Sequence, residues 1–452
     1  MNFYRFKVID MILRVIIDNL YSFSKPVEFN MFTNKSQRHL SHKRSLARVS
    51  FLKMAALYGA NGAGKSNLVK TIHLLKAVVM NGVLPSYVGE LKYKLDKACK
   101  DRPSSVAVEF ATNGVIYYYT ITFDEKGVWY ELLSETLPNG DDRRIFEREY
   151  KEAKENVCFQ DGFADEPKNK LFVEVLEEKF LSRKDVLLSM LQEKYGKDFP
   201  DTAVAYDWFA NTLNVVNASE TTGPLAHVFE KESNVLRLGN DIVRRLSVGV
   251  NDIYVSKYEI EQTDKTQEIF ERLTKEPRAI MDVFNPYTGE RTSFVKEGDK
   301  VMAETIRTSH TDNEDNEVAF NFGMESDGTQ RLVDYVPMLN GVMRGGKVFV
   351  IDEIERSIHP AVVKELVRLL SNDGEMNGQI VFTTHETCLL DQDILRTDEI
   401  WFAQKDKSGS TDLYSLSDYN VHATANVENG YLNGRYGAIP FLDDLKTLHW
   451  NG

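Results

Sequence analysis

An α/β fold is expected from this sequence, on three observations. The short apolar run Met54-Ala-Ala-Leu-Tyr58 passes through a glycine-rich turn into Asn67 to Val79, where leucines and valines recur at helical spacing. Two later runs, Lys347-Val-Phe-Val-Ile-Asp352 and Gln379-Ile-Val-Phe-Thr-Thr-His385, have the unbroken apolar character of strands buried on both faces. Between these runs, β-rich segments give way to segments of helical periodicity.

Taken from the N-terminus, Ile12 to Ile17 reads as a strand, Asn19 to Ser24 as a turn and Val27 to Phe32 as the hairpin partner. Arg38-His39-Leu-Ser-His42-Lys43-Arg44 is a compact basic cluster. A solvated basic loop is the expected reading, since no carboxylate or cysteine joins the histidines at ligand spacing; contact with nucleotide or nucleic acid, or a metal at the two histidines, is the alternative. After the helix, Ser105 to Ala111, Val115 to Phe123 and Val128 to Leu133 are separated by Asn113-Gly114 and Lys126-Gly127, the pattern of an antiparallel meander. Asp141 to Glu155 is expected as an exposed hairpin or loop edge. From about Lys170, apolar residues at Leu171, Val175 and Leu176, at Val186 to Leu191, at Val204 to Leu213 and at Leu225 to Leu246 predict an inserted helical lobe of four or more helices. No heptad pattern is sustained there. Asp252 to Ile260 returns to strand, Pro286 to Asp299 carries turn chemistry between two β-like runs, and Thr308 to Asn316 reads as a polar loop.

The 452 residues exceed one ordinary core, so one domain with a large insertion, or two domains, is expected. A net charge of −13 excludes a generally basic nucleic-acid coat while leaving room for a local patch. Cys99, Cys158 and Cys388 are odd in number and far apart, which suits a reducing compartment and argues against a disulfide framework or zinc. No apolar run approaches the roughly eighteen residues of a membrane span, and Asp10 and Asp18 interrupt the start, so a soluble cytoplasmic protein is expected.

The glycine-rich turn is Gly59-Ala60-Asn61-Gly62-Ala63-Gly64-Lys65-Ser66, which satisfies G-x-x-x-x-G-K-[ST] at every fixed position. Its glycines let backbone N–H groups approach phosphates, Lys65 reaches the β- and γ-phosphates, and the Ser66 hydroxyl takes one Mg²⁺ position, with Asn67 next in the binding segment. A nucleotide with Mg²⁺ is therefore the expected ligand. Asp352 and Glu353 end a buried strand, where phosphoryl transfer to water needs one carboxylate for Mg²⁺ and one for the attacking water. His385 ends another such strand and is placed to hydrogen-bond a γ-phosphate or that water.

The order of phosphate loop, Ser326-Asp327-Gly328-Thr329-Gln330-Arg331, Asp352-Glu353 and His385 resembles ABC-type ATPases without a membrane part, the SMC, RecF and OLD-like group. The resemblance implies an ABC-type P-loop ATPase head with its meander and helical insertion, and makes the nucleotide ATP. Residues 11–165 would hold its N-terminal part, 166–250 the insertion and 251–452 its C-terminal part. It further implies that Asp352 holds Mg²⁺, that Glu353 activates water, that His385 is a switch histidine, and that Ser326 and Gly328 act on the ATP of a second subunit. The Asn19-Leu-Tyr-Ser-Phe23 hairpin would border the adenine. The group's Mg²⁺-contacting glutamine has only Gln160 and Gln192 as candidates, and Glu355-Arg-Ser-Ile-His-Pro360 replaces the transporter Asp-containing loop.

The 38–42 loop, Leu187-Leu-Ser189, Thr384-His385-Glu386 and the ending Gly430 to Pro440 are similar to stand-alone bacterial AAA-type ATPases, several of which act in abortive infection. The ATPase component of the PARIS anti-phage system resembles the same group. By that likeness the protein is an ATP-driven switch in a homo-oligomer that controls a nearby-encoded effector such as a nuclease. A DNA-engaging repair ATPase of the RecF or SMC kind is the alternative.

Overall fold

The computed structural model describes residues 9–218, 223–246, 249–276 and 279–439. The chain divides into two compact units, Met1–Asn217 with Val342–Ile354 and Val367–Gly452, and Ala218–Gly341 with Glu355–Leu366.

In the first unit a six-stranded sheet runs in the order Leu213–Val216, Val348–Ile351, Gln379–Thr383, Met54–Tyr58, Ile400–Lys405 and Thr411–Ser415. The first five are parallel and the last is antiparallel. Every residue of Met54–Tyr58, Val348–Ile351 and Gln379–Thr383 is buried, the result of covering both faces of a parallel sheet, and this is why these runs lack alternation. The three strands are adjacent, so their C-terminal ends open at one edge of the sheet, where α/β folds assemble their sites. Helix Lys65–Asn81 follows Met54–Tyr58 through the glycine-rich turn and buries Leu68, Val69, Ile72, Leu75 and Val79, a stripe spaced three and four apart.

A seven-stranded antiparallel sheet carries the predicted meander, in the order Lys154–Phe159, Asp142–Lys151, Gly127–Thr136, Val115–Asp124, Ser104–Thr112, Met11–Asp18 and Val27–Asn30. Gln379 joins it to the parallel sheet. Its side chain accepts from Ile12 N at 2.8 Å and donates to Ile12 O and Leu52 O at 3.0 and 2.7 Å, so a fully buried amide is satisfied on three sides.

Three expectations need correction. The stretch expected as one helical insertion, 166–250, is divided: helices Pro167–Val175, Leu187–Tyr195 and Pro200–Asp207 belong to the first unit, whereas Leu225–Lys231 and Ser233–Arg245 belong to the second. Between them Leu213–Val216 pairs in parallel with Val348–Ile351; a four-residue apolar run after a helical pattern has too little length to show its period. Thr308 to Thr311, expected as loop, is the end of strand Lys300–Thr311, because Thr308 and Ser309 are buried hydroxyls, and Thr308 donates to Glu325 at 2.5 Å. The Asp141 to Glu155 hairpin exists but is not merely an exposed edge. Arg148 is fully buried there, bonded to Glu155 at 2.9 Å and to the carbonyls of Asp185 and Ser182.

The second unit is built on an antiparallel sheet in which Lys300–Thr311 pairs with Asp252–Glu259, Arg291–Glu297 and Glu317–Asn321, and Met281–Phe284 pairs with Arg291–Glu297. Its buried Glu304 is paired with Lys257 Nζ at 3.3 Å and lies 2.8 Å from His227 Nδ1. Among the described residues no helix is long and apolar enough to cross a membrane.

Candidate active site

The phosphate loop is shaped by contacts that only glycine permits at two positions. Gly59 has φ +155°, and a Cβ there would sit 2.5 Å from Ala403 O; Gly64 has φ +107°, and a Cβ would sit 2.2 Å from Thr411 Oγ1. Thr411 Oγ1 lies 2.8 Å from both Ala63 O and Ser22 Oγ, and Asn67 Nδ2 donates to Ser22 Oγ at 2.8 Å. The loop is thus clamped from the Asn19–Phe23 turn on one side and strand Thr411–Ser415 on the other. Asn61 and Gly62 remain exposed at its tip, with Ala60 and Ala63 completing the turn through an Ala63 N to Ala60 O bond of 3.1 Å.

Lys65, only 6 % exposed, donates to Gly59 O at 2.8 Å and Ala60 O at 3.4 Å, and lies 2.9 Å from His385 Nε2. An ammonium can only donate, so Nε2 accepts and a neutral ring carries its proton on Nδ1. Ser66 Oγ donates to Asp352 Oδ1 at 3.0 Å, and Thr383 Oγ1 donates to the same oxygen at 2.7 Å. Glu353 follows with φ +51°, a left-handed conformation that costs a glutamate about 1–3 kcal/mol. Its N–H is bonded to Thr383 Oγ1 at 2.8 Å. The structure therefore brings Gly59 to Asn67, Asp352, Glu353 and His385 together at the ends of three adjacent strands.

The donor set fits Mg²⁺. Because Ser66 spends its proton on Asp352 Oδ1, its lone pairs and the second carboxylate oxygen are left for a hard cation, and Mg²⁺ takes one or two such protein oxygens with phosphate and water supplying the rest. Among the described residues no group of three or more His, Cys, Asp or Glu side chains could hold a metal. A cavity of about 380 Å³ adjoins Ser22 and Asn67, lined also by Tyr21, Lys92, Tyr93 and Lys405.

In the second unit Ser326 is exposed and precedes helix Asp327–Met343. Its Oγ accepts from Thr329 N at 3.2 Å and lies 2.9 Å from Thr329 Oγ1, which caps the helix start. A Cβ on Gly328 would lie 2.5 Å from Ser357 O, so the Glu355–Pro360 segment, with Ser357 at φ +63°, requires glycine there. Gln330 Nε2 donates to Glu325 O at 2.8 Å, fixing the approach to Ser326.

Two turns along, burial raises the Asp334 carboxyl to about 6, against the pull of Arg291 and Arg331. A carboxyl raised from 3.8 binds its proton more tightly folded than unfolded, so its favourable contribution is full below pH 4 and is lost as pH rises through 6. Asp334→Asn should therefore gain stability over the parent between pH 4 and 7, by up to about 3 kcal/mol. Urea unfolding of both proteins across that range checks it; parallel pH curves would refute it.

Side chains of the basic cluster are bonded within the fold. Arg38 donates to Gln392 O at 3.2 Å, His39 Nε2 lies 2.9 Å from the same carbonyl, and Arg44 donates to Met376 O at 2.7 Å. His42 is buried between Glu399, 2.8 Å from Nδ1, and Ser371 O, 2.9 Å from Nε2; burial pushes the Glu399 carboxyl up while His42 holds it down. Arg396 pairs with Asp398 at 2.8 Å and donates to the Ser36 and Arg38 carbonyls. Of the glutamine candidates, Gln160 accepts from Arg143 at 3.1 Å on the seven-stranded sheet and Gln192 sits on helix Leu187–Tyr195. Reasoning from sequence missed Ser22 as a loop clamp, Thr411 and Thr383. Ser22 lies inside a recognised turn, but an isolated threonine carries no spacing that marks it.

The ending comprises helix Val427–Leu432 and the turns that follow it to Ala438; Pro440 lies outside the described residues. Buried Tyr436 occupies the space beside Gly430, where a Cβ would lie 2.7 Å from its ring. Glu428 accepts from Thr387 Oγ1 at 2.7 Å, two residues beyond His385.

A parallel sheet whose adjacent strand ends gather a phosphate loop, a Ser–Asp pair, a second carboxylate and a histidine defines a P-loop nucleotide-binding domain. The family described as "AAA domain, putative AbiEii toxin, Type IV TA system" matches residues 54–391, and the chain belongs to it. No curated protein sequence matches. Among solved structures, an SMC head bound to the C-winged helix domain of ScpA is 14 % identical with a TM-score of 0.40, over 89 % of this chain and 97 % of that one. The SMC head domain from Thermotoga maritima is 12 % identical with a TM-score of 0.36, over 89 % and 98 %. The SMC head with an extended coiled coil bound to the C-terminal domain of ScpA, from Pyrococcus furiosus, is 14 % identical with a TM-score of 0.38, over 90 % and 96 %.

Proposed function

We propose that the protein is an ATP-binding and ATP-hydrolysing switch whose copies associate around the nucleotide, and that it governs an effector protein in a defence system of the abortive-infection kind. The observation that carries the first half is the meeting of Lys65 with His385 and of Ser66 with Asp352 at adjacent strand ends. On binding ATP, Lys65 turns from the Gly59 and Ala60 carbonyls to the β- and γ-phosphates, and the backbone N–H groups of the loop follow the same charge. Ser66 and Asp352 would hold Mg²⁺, which would neutralise phosphate charge there. Glu353 accepts the proton of a water whose oxygen bonds the γ-phosphorus as the bond to the β–γ bridging oxygen breaks, leaving ADP and phosphate. His385, released from Lys65, donates from or accepts at the γ-phosphate side. The cavity beside Ser22 and Asn67 takes the base and sugar.

Ser326 and Gly328 sit at the start of a 17-residue helix, with an N-terminus suited to a γ-phosphate on a second copy. That arrangement is tested by mixing Ser326→Arg with Lys65→Ala. Each alone should be inactive, while the mixture restores one working site per pair; no recovery would contradict action in trans. The effector half rests on the toxin–antitoxin description of the family and the net charge of −13. These suit a protein partner, such as a nuclease or toxin encoded nearby, better than DNA, and the bonds that Arg38 and Arg44 make within the chain support that choice.

A further inference from the structure

We propose that Thr383 is a positioning residue for hydrolysis: its one hydroxyl sets the orientation of the Asp352 carboxylate and fixes the backbone of Glu353. This rests on the reading of Asp352 and Glu353 given above. Thr383 ends the strand between those that carry the phosphate loop and Asp352, and it is 1 % exposed. A threonine hydroxyl has one proton and two lone pairs. The proton goes to Asp352 Oδ1 at 2.7 Å, and a lone pair receives Glu353 N–H at 2.8 Å. The Thr383 carbonyl then accepts Ile354 N–H at 3.1 Å, so both sides of the turn at Glu353 are tied to one residue.

Two consequences follow from that geometry. Asp352 Oδ1 is engaged by both Ser66 and Thr383, which fixes the carboxylate plane and makes Oδ2 the oxygen that would meet a cation. Glu353 holds a left-handed backbone, and such a conformation persists only where its surroundings over-determine it. The bond from its N–H to Thr383 is one of those constraints. The metal-side and water-side carboxylates are thereby aimed by a single group, and a rotation at either would misplace water relative to the γ-phosphate, where an error of about 1 Å costs on the order of a hundredfold.

The test uses the full-length protein and two substitutions. Thr383→Val keeps shape and removes both hydroxyl bonds; Thr383→Ser keeps the hydroxyl and removes the methyl. Valine is expected to lower kcat by about ten- to hundredfold, to leave the Kd for a non-hydrolysable ATP analogue without Mg²⁺ within about threefold, and to raise the Mg²⁺ concentration needed for half-maximal analogue binding. Serine should retain kcat within about threefold. Glu353→Gln and the parent are measured alongside. A parent without ATPase activity overturns the reading of the site and this inference with it. An active parent, an inactive Glu353→Gln and a Thr383→Val with unchanged kcat overturn this inference alone. Serine as impaired as valine also overturns it, since packing of the methyl would then be the cause.

Discussion

Glu353→Gln should bind ATP as tightly as the parent and hydrolyse it about 10²- to 10⁴-fold more slowly, the usual contribution of a positioned general base. The substitution is nearly isosteric and leaves the backbone bond from residue 353 to Thr383 in place. Lys65, Ser66 and the loop amides that bind the phosphates are unaltered, so affinity is retained while the proton of the attacking water loses its acceptor. ATP-bound protein should then accumulate. Single-turnover hydrolysis and a binding titration on one preparation check both halves. Hydrolysis at the parent rate would show that another group activates the water.

Lys65→Ala should lower ATP affinity by more than about a hundredfold, because a desolvated charge facing the β- and γ-phosphates is removed and such truncations cost about 2–5 kcal/mol. Lys65 is buried, and its donors meet Gly59 O, Ala60 O and His385. The loop itself should survive, since Ser22 and Thr411 hold it from outside through Asn67 and Ala63. The melting temperature of the ligand-free protein is therefore expected to stay within a few degrees of the parent's, on the basis of about 1 kcal/mol per lost bond. Calorimetric titration with ATP decides it; a loss under about fivefold would mean that Lys65 does not face the phosphates.

Much of the site was legible because its parts are local in sequence. The phosphate loop occupies consecutive residues between a strand and a helix, and Asp352 and His385 each end an apolar run that needs no partner to be recognised. The clamps were not legible. Ser22, Thr383 and Thr411 act through single hydroxyls that meet residues far along the chain, and no periodicity announces them. The bonding of Arg38 to Arg44 was equally hidden: a basic loop was expected to be solvated, whereas its acceptors at Gln392, Met376 and Glu399 lie more than three hundred residues away. Polar composition hid the strand at Thr308 to Thr311, where buried hydroxyls take the place of apolar side chains. The meander was plain because Val115 to Phe123 is long, aromatic and bounded by Asn113-Gly114 and Lys126-Gly127.

The central claim is that ATP joins copies of this chain. Light scattering of Glu353→Gln with Mg²⁺, in ATP and then in ADP, measures it directly. The mass is expected to rise by a whole multiple of 51.7 kDa in ATP and to fall back in ADP. An identical mass in both nucleotides, with ATP binding confirmed on the same sample, would contradict it.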